Sequence, residues 1–453
     1  MPAAATAAGG PSTGGPSTGG LLRRVATAHP AYVWCFVGSL VLSVFSGQTS
    51  GLGLPVGPDR LLFGAGMLLL LLDPVAWRAG GRPRLRAVHV VMAATAALTA
   101  WSAAAHGTLL TPYGFFALLD RLVVPFLLLC VAPVVFATTA RRDLLLRSLV
   151  LVGLYLELTA LFEKAGPASL VWPRYILDPT VGIGFGRARG PFVASEAMGM
   201  AIALCAFAAV LGTARFRGGW RAVSLVVVVL APAGVVLPLT RSVWLGTAVA
   251  VVVTCLVSAR LRRWLPLVLA GGAVAVLTVL AAVPGLQESV TERAGTTRSV
   301  DDRSNTNVAA LRVVQEHPLT GVGWVRFIEV SPDFVRQSAN YPVTSVRIEA
   351  HNVVLARAAE LGLPGAALWV AAALLGPAAA ALRRPRGAEH GQWRLLAVAS
   401  VCLWTFPVLL SPNPYPFPNF LVWTIAGIAL RPHLVTGDLG SGGVPVRRGG
   451  SRP

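Results

Sequence analysis

The stretch Leu237–Ala250, LPLTRSVWLGTAVA, sets one arginine between two apolar runs, with no acidic residue within ten positions on either side. A guanidinium without a counter-charge is costly inside hydrocarbon, but at a membrane boundary its long stem lets the charge reach headgroups and water. Arg241 therefore reads as a turning point between two membrane-spanning helices.

The rest of the chain extends that reading. Of 453 residues, 55% are hydrophobic and 13% charged, where an ordinary soluble domain is about a quarter charged. Apolar residues gather in runs of about 16 to 22, the length a helix rising 1.5 Å per residue needs to cross about 30 Å of hydrocarbon. Runs begin near Ala31, Leu61, Ala87, Leu122, Leu144, Pro191, Ala222, Val243, Trp264, Gly362, Leu395 and Phe417. The expectation is an all-α integral membrane protein of about twelve transmembrane helices.

The net charge of +19 would suit a nucleic-acid binder if it lay on one face. It does not. Nearly every base is arginine, and the clusters Arg23/Arg24, Arg78–Arg86, Arg141–Arg147, Arg215–Arg221, Arg260–Arg263, Arg383–Arg386 and Arg431–Arg448 fall in every second connection. By the positive-inside rule these loops and both termini are cytoplasmic, and no nucleic-acid partner is implied. Residues 1–22, with the repeat GGPSTGGPSTGG, and 433–453 read as disordered cytoplasmic tails flanking a membrane domain over 23–432. The five cysteines lie inside apolar runs and no HxxxH or CxxC spacing occurs, so neither a disulfide framework nor a metal site is expected.

Two external connections are long, Glu163 to Gly190 and about 285–350, and long loops in compact proteins usually carry function. In the second, Ser304 or Asn305 can cap a short helix that Pro318 ends, and HPLTGVGW (317–324) reads as a tight turn. The outer segments also hold Arg187, Arg189, Arg293, Arg298, Arg303, Arg312, Arg326, Arg336 and Arg347, although topology favours arginine on the other side. A guanidinium fork matches phosphate oxygens with paired hydrogen bonds, so a diphosphate at the membrane face is a natural ligand for Arg187, Arg189 and Arg241. Pairing with phospholipid, Glu163 or Glu196 is the plainer alternative. His351 stands where the long loop returns to the membrane, and an imidazole there is a candidate general base, with Glu349 two positions earlier able to tune it. Asp301 and Asp302 are the rival acid pair, and Glu157, in mid-span, is expected to face a partner within the bundle.

Together, RARGPF (187–192), LTRSVWLG (239–246), HPLTGVGWVRF (317–327) and HNVVLARAAELGLPGAALWV (351–370), in that order and with a large loop before the tenth span, resemble the O-antigen ligase and polymerase superfamily of bacterial envelope enzymes. The resemblance covers roughly Arg187 to Val370. It implies a GT-C-type membrane glycosyltransferase of the bacterial cytoplasmic membrane. Such an enzyme passes a glycan from an undecaprenyl-diphosphate carrier to a hydroxyl on a lipid, glycan or protein acceptor, at the external face. It further implies that Arg241, Arg189 with Arg187, and Arg303 hold the diphosphate and that His351 assists the acceptor hydroxyl. The loop helix departs from the family in having NTNVAAL (305–311) where an aromatic is usual. Fixed arginines can stabilise the departing diphosphate, so a metal-independent, inverting reaction without cofactor is expected. The rival class is a twelve-helix secondary transporter for a small anion, which would place charges at the midplane of two related halves.

Overall fold

The structure is a computed structural model and describes residues 29–52, 56–74, 76, 86–295, 298–335 and 349–431. The two tails, 1–22 and 433–453, lie outside the described residues.

The described residues form helices and no strands. In chain order these are α1 (Ala31–Leu42, continued by a 3-10 stretch), α2 (Pro58–Leu71), α3 (Ala87–Ala105), α4 (Pro112–Val135), α5 (Thr139–Lys164), α6 (Ser195–Arg215), α7 (Gly219–Val236), α8 (Arg241–Val257) and α9 (Leu265–Ala282). Three helices of the long loop follow, α10 (Leu286–Gly295), α11 (Arg298–Glu316) and α12 (Phe327–Phe334), then α13 (Val353–Ala373, running on to Leu382), α14 (Ala388–Leu410) and α15 (Pro416–Leu430). Among the described residues nine helices are long and apolar enough to cross a membrane, and α8 and α15 are shorter apolar helices. Each expected run begins inside or just before one of α1–α9 or α13–α15.

Some boundaries differ for local reasons. The tenth run was expected to begin at Gly362, yet α13 begins at Val353, because Asn352 caps it by accepting the Leu355 N–H at 3.0 Å and because Arg357 and Glu360 neutralise each other one turn apart at 2.7 Å. The loop helix was expected to begin at Ser304 or Asn305, yet α11 already includes Arg298. Asp301 and Asp302 thus lie in a helix, where consecutive positions fall on different faces.

Helix α6 is largely buried and packs against α5, α7 and α14. Small residues bring other helices together: a Cβ on Gly246 of α8 would come within 2.9 Å of the Leu403 carbonyl of α14, and one on Gly427 of α15 within 2.6 Å of the Leu129 carbonyl of α4. Helix α9, by contrast, has no buried residue and sits at the rim. Glu157 on α5 is fully buried, but its carboxylate has no hydrogen-bond partner among the described residues, contrary to the expected pairing.

Polar contacts sort the helix ends into two sets. Arg141 donates to the Tyr32 hydroxyl at 3.0 Å, Arg142 pairs with Glu389 at 3.3 Å, Arg215 pairs with Asp143 and Glu389, and Arg383 donates to the Leu430 carbonyl at 2.8 Å. These contacts gather one end of α1, α5, α6, α14 and α15, together with three of the arginine clusters. The opposite ends of α5, α6 and α14 carry Glu163, Ser195 and Ser411, and α8 begins at Arg241.

Candidate functional site

The long loop is fastened to the bundle through HPLTGVGW. Helix α13 breaks at Gly362, whose φ of 73° is left-handed, and Pro364 two residues later has no N–H to offer. The carbonyls of Ala359 and Glu360 accept instead from the N–H groups of Val322 and Gly323, at 2.9 and 3.0 Å, while Leu363 donates to the Pro318 carbonyl at 2.8 Å. Trp324 is fully buried beside this junction. Its indole donates to the Gly114 carbonyl at 3.0 Å, its backbone N–H donates to Ser102 Oγ at 3.2 Å, and the Arg357 guanidinium lies 4.5 Å from its ring centre. The tight turn expected here also serves as a clamp between α3, α4 and α13.

His351 stands just beyond that clamp. Two residues earlier, Glu349 accepts from the Tyr113 hydroxyl at 2.5 Å and from Arg121 at 2.6 Å, which ties the returning segment to α4. Burial alone would raise the Glu349 pKa, but the Arg121 charge and the bonds from Tyr113 and Arg121 hold it below the ordinary carboxylate value. On the other side, Thr306 of α11, only 1% exposed, places Oγ1 3.4 Å from His351 Nδ1. Arg303 lies one turn earlier on the same helix and its carbonyl accepts from Thr306 Oγ1 at 3.1 Å.

Arg241 is the first residue of α8. The next residue, Ser242, donates to Glu196 Oε1 at 2.8 Å; Ser411 lies near this carboxylate, and the Arg303 charge acts on it. The Tyr415 hydroxyl, whose pKa burial pushes up, senses both Glu196 and Glu349. The starts of α6 and α8, the end of α14, the Arg303 turn of α11 and the segment before His351 therefore converge. Arg241 immediately precedes Ser242, Arg303 lies one turn before Thr306 on α11, and His351 follows Glu349 by two residues.

Arg189 is used differently from the expectation of an open anion site. Its side chain is fully buried, and the guanidinium donates to the carbonyls of Val181 at 2.6 Å, Ile176 at 2.7 Å and Asp178 at 2.9 Å, with Phe185 4.9 Å from its centre. Its backbone N–H and that of Gly190 bond Glu163. Arg189 thus organises the loop from Glu163 to Gly190, and half-buried Arg187 sits in the turn before it. The loop touches the Arg241 turn through the Ala188 N–H, which donates to the Leu237 carbonyl at 3.3 Å. Arg312 is likewise internal, donating to the Phe334 carbonyl at 2.7 Å; Arg336 and Arg347 lie outside the described residues.

Sequence reasoning missed Arg121, Tyr113, Thr306 and Tyr415. The signal for Arg121 was available, since an arginine inside an apolar run calls for an acid; nothing local marks Thr306 or Tyr415. Between α4, α13 and α15 lies a hollow of about 20 Å³ lined by Arg121, Arg357, Asn413 and Asn419, with space for one water molecule. Among the described residues no group of three His, Cys, Asp or Glu side chains is arranged to hold a metal ion.

Residues 225–370, about a third of the chain, match the family model described as O-antigen ligase. The match supports the resemblance to the O-antigen ligase and polymerase superfamily over that segment. No curated protein matches the chain. The matched segment runs from α7 through the loop helices to the first part of α13, so it includes Arg241, Arg303, Thr306, Glu349 and His351, while Arg187, Arg189 and Glu196 precede it. With nine helices among the described residues long and apolar enough to cross a membrane, the chain is a multi-pass membrane protein that is similar to O-antigen ligases over residues 225–370.

Proposed function

We propose that the protein is a glycosyltransferase of the bacterial cytoplasmic membrane that moves a glycan from an undecaprenyl-diphosphate carrier to an acceptor hydroxyl at the external face. In this reading the bundle is of GT-C type with about twelve spans and cytoplasmic termini, and the arginine-rich helix ends face the cytosol. The observation that carries it is the seating of α11: Thr306 meets His351 while Arg303, one turn away, acts on the carboxylate that Ser242 anchors beside Arg241. A histidine and two arginines from distant parts of the chain thereby share one end of the bundle.

Arg241 and Arg303 hold the diphosphate, and their charge stabilises it as the anomeric C–O bond breaks. His351 accepts the proton of the attacking hydroxyl from the opposite side of the sugar, which inverts that carbon. No step calls for a metal or cofactor. Arg189 and Arg187 serve by shaping the loop that abuts the Arg241 turn, and Glu349 by fixing the segment that presents His351. The acceptor class, whether lipid, glycan or protein, selects between ligase and polymerase. A transporter would use a broken helix to expose carbonyls to its cargo, but here the carbonyls at the Gly362 break are occupied by the loop.

The test is transfer of a labelled glycan from purified carrier lipid in vesicles. His351→Ala should abolish turnover while carrier binding persists, whereas Arg241→Ala and Arg303→Ala should weaken carrier binding. Full turnover by His351→Ala would remove the histidine from the mechanism. Mass spectrometry of surface glycans separates the two activities: shortened chains in cells lacking the protein indicate a polymerase, and accumulated full-length lipid-linked glycan a ligase.

A further inference from the structure

An imidazole serves as a base only through the nitrogen that carries the lone pair, and its partners decide which nitrogen that is. In His351 the nitrogen in contact with α11 is Nδ1, 3.4 Å from Thr306 Oγ1. A threonine hydroxyl has one hydrogen and two lone pairs. Thr306 Oγ1 directs its hydrogen to the Arg303 carbonyl three residues earlier, at 3.1 Å, a common way for a helical threonine to bond back along its own helix. Toward His351 the same oxygen is then an acceptor.

We infer that Thr306 is a positioning residue that fixes the tautomer of His351, accepting the Nδ1–H so that the basic lone pair lies on Nε2. The two bonds of Thr306 form a relay from the Arg303 backbone to the imidazole. Because Arg303 and Thr306 occupy one turn of a rigid helix, seating α11 delivers an arginine and sets the imidazole in a single movement. Thr306 is buried, so water cannot substitute readily for its hydroxyl. The opposite tautomer would put a hydrogen on Nε2 and leave that nitrogen unable to accept a proton until the ring rearranged. When Nε2 takes the proton from the acceptor hydroxyl, Thr306 Oγ1 continues to accept from Nδ1–H, and the imidazolium that forms keeps its partner.

This inference rests on the proposed role of His351 as base, and the experiment separates the two. Thr306→Val preserves shape and removes the hydroxyl; Thr306→Ser restores it. In the vesicle assay we expect Thr306→Val to lower the maximal transfer rate by about 10- to 100-fold, part of the 10²–10⁴ that a positioned base contributes, with the KM for the carrier-linked donor within about twofold of wild type. Thr306→Ser should recover most of the rate. Nitrogen-15 NMR of histidine-labelled protein in nanodiscs, with the His351 signal assigned by its loss in His351→Gln, should show a protonated Nδ1 and an unprotonated Nε2 in wild type at a pH where the ring is neutral. In Thr306→Val that signature should become a mixture. A wild-type spectrum with the hydrogen on Nε2, or a Thr306→Val enzyme with unchanged rate and unchanged signature, would overturn the inference. If His351→Ala itself keeps full turnover, it is the base assignment that fails, whatever the tautomer. Should Thr306→Val not fold, the wild-type spectrum and the Thr306→Ser rate still decide.

Discussion

Arg189 offers the sharpest distinction between gripping a ligand and building a loop. In Arg189→Ala the carbonyls of Val181, Ile176 and Asp178 lose their donors, the Ile176 bond being buried and the other two partly buried, and an acceptor left unsatisfied costs up to about 1–3 kcal/mol when fully buried. Glu163, whose carboxylate lies 4.0 Å from Arg189 Nε, also loses its nearest positive neighbour. Taking the low end for each carbonyl gives a local loss of about 3 kcal/mol, or roughly a hundredfold in the opening equilibrium at about 1.4 kcal/mol per factor of ten. Hydrogen exchange followed by mass spectrometry on protein in nanodiscs should therefore show peptides spanning 171–193 exchanging roughly a hundredfold faster, with α5 and α6 little changed. Arg189→Lys keeps the charge but not the planar fork that reaches several carbonyls at once, so its exchange should lie between the two. Donor affinity should fall in step with loop protection across this series. A lysine variant with wild-type protection but greatly weakened donor binding would refute the reasoning, because it would mean that the guanidinium touches the diphosphate itself.

Other consequences are as direct. Glu349 has a depressed pKa in the fold, so its bond to Arg121 contributes full stability above the ordinary value of 4.5 and loses it as the pH falls below that value; melting curves of wild type and Glu349→Gln should differ at neutral pH and converge in acid. Gly362→Ala should reduce the yield of folded protein, since the residue combines a φ of 73° with close backbone contact from the Leu319–Thr320 turn. Gly271→Ala, in the interior of α9 with open space around it, should be neutral or stabilising by up to about 1 kcal/mol in the same expression and melting assay.

Periodicity and charge made the bundle legible. Helix length follows from membrane thickness, and two of the arginine clusters that alternate along the chain, those of Arg141 and Arg215, are joined through Asp143, Glu389 and Tyr32 at one end. What could not be read was the start of α13, because a segment containing Arg357 and Glu360 fails any hydropathy test until the two are known to cancel. The site was legible in part for a related reason. His351, Arg241 and Arg303 stand out as charged or titratable groups where few are expected, but Thr306 and Tyr415 are ordinary residues that matter only through tertiary neighbours. Arg189 was conspicuous for its charge alone, and charge cannot distinguish a guanidinium facing solvent from one spent on three carbonyls.

The tethers of the long loop are made mostly by backbone groups and uncharged side chains. Ordering a loop of this length costs closure entropy that grows only slowly with its length, whereas each buried bond that fastens it contributes on the order of 1 kcal/mol. The loop is fastened by Trp324 to α3 and α4, by Val322 and Gly323 to the break in α13, and by Thr306 to His351. The break at Gly362 and the proline after it make the second of these possible, since an unbroken helix without Pro364 would consume the carbonyls of Ala359 and Glu360 internally. Gly362 and Pro364 therefore act on the site from a distance: the break frees the Ala359 carbonyl, the proline leaves that of Glu360 without a helical donor, and the loop docks on both, bringing Thr306 to His351. A substitution at the clamp should accordingly depress donor binding and turnover together, while one at His351 or Thr306 should depress turnover alone, and that division is the means of telling the residues that build this site from those that work in it.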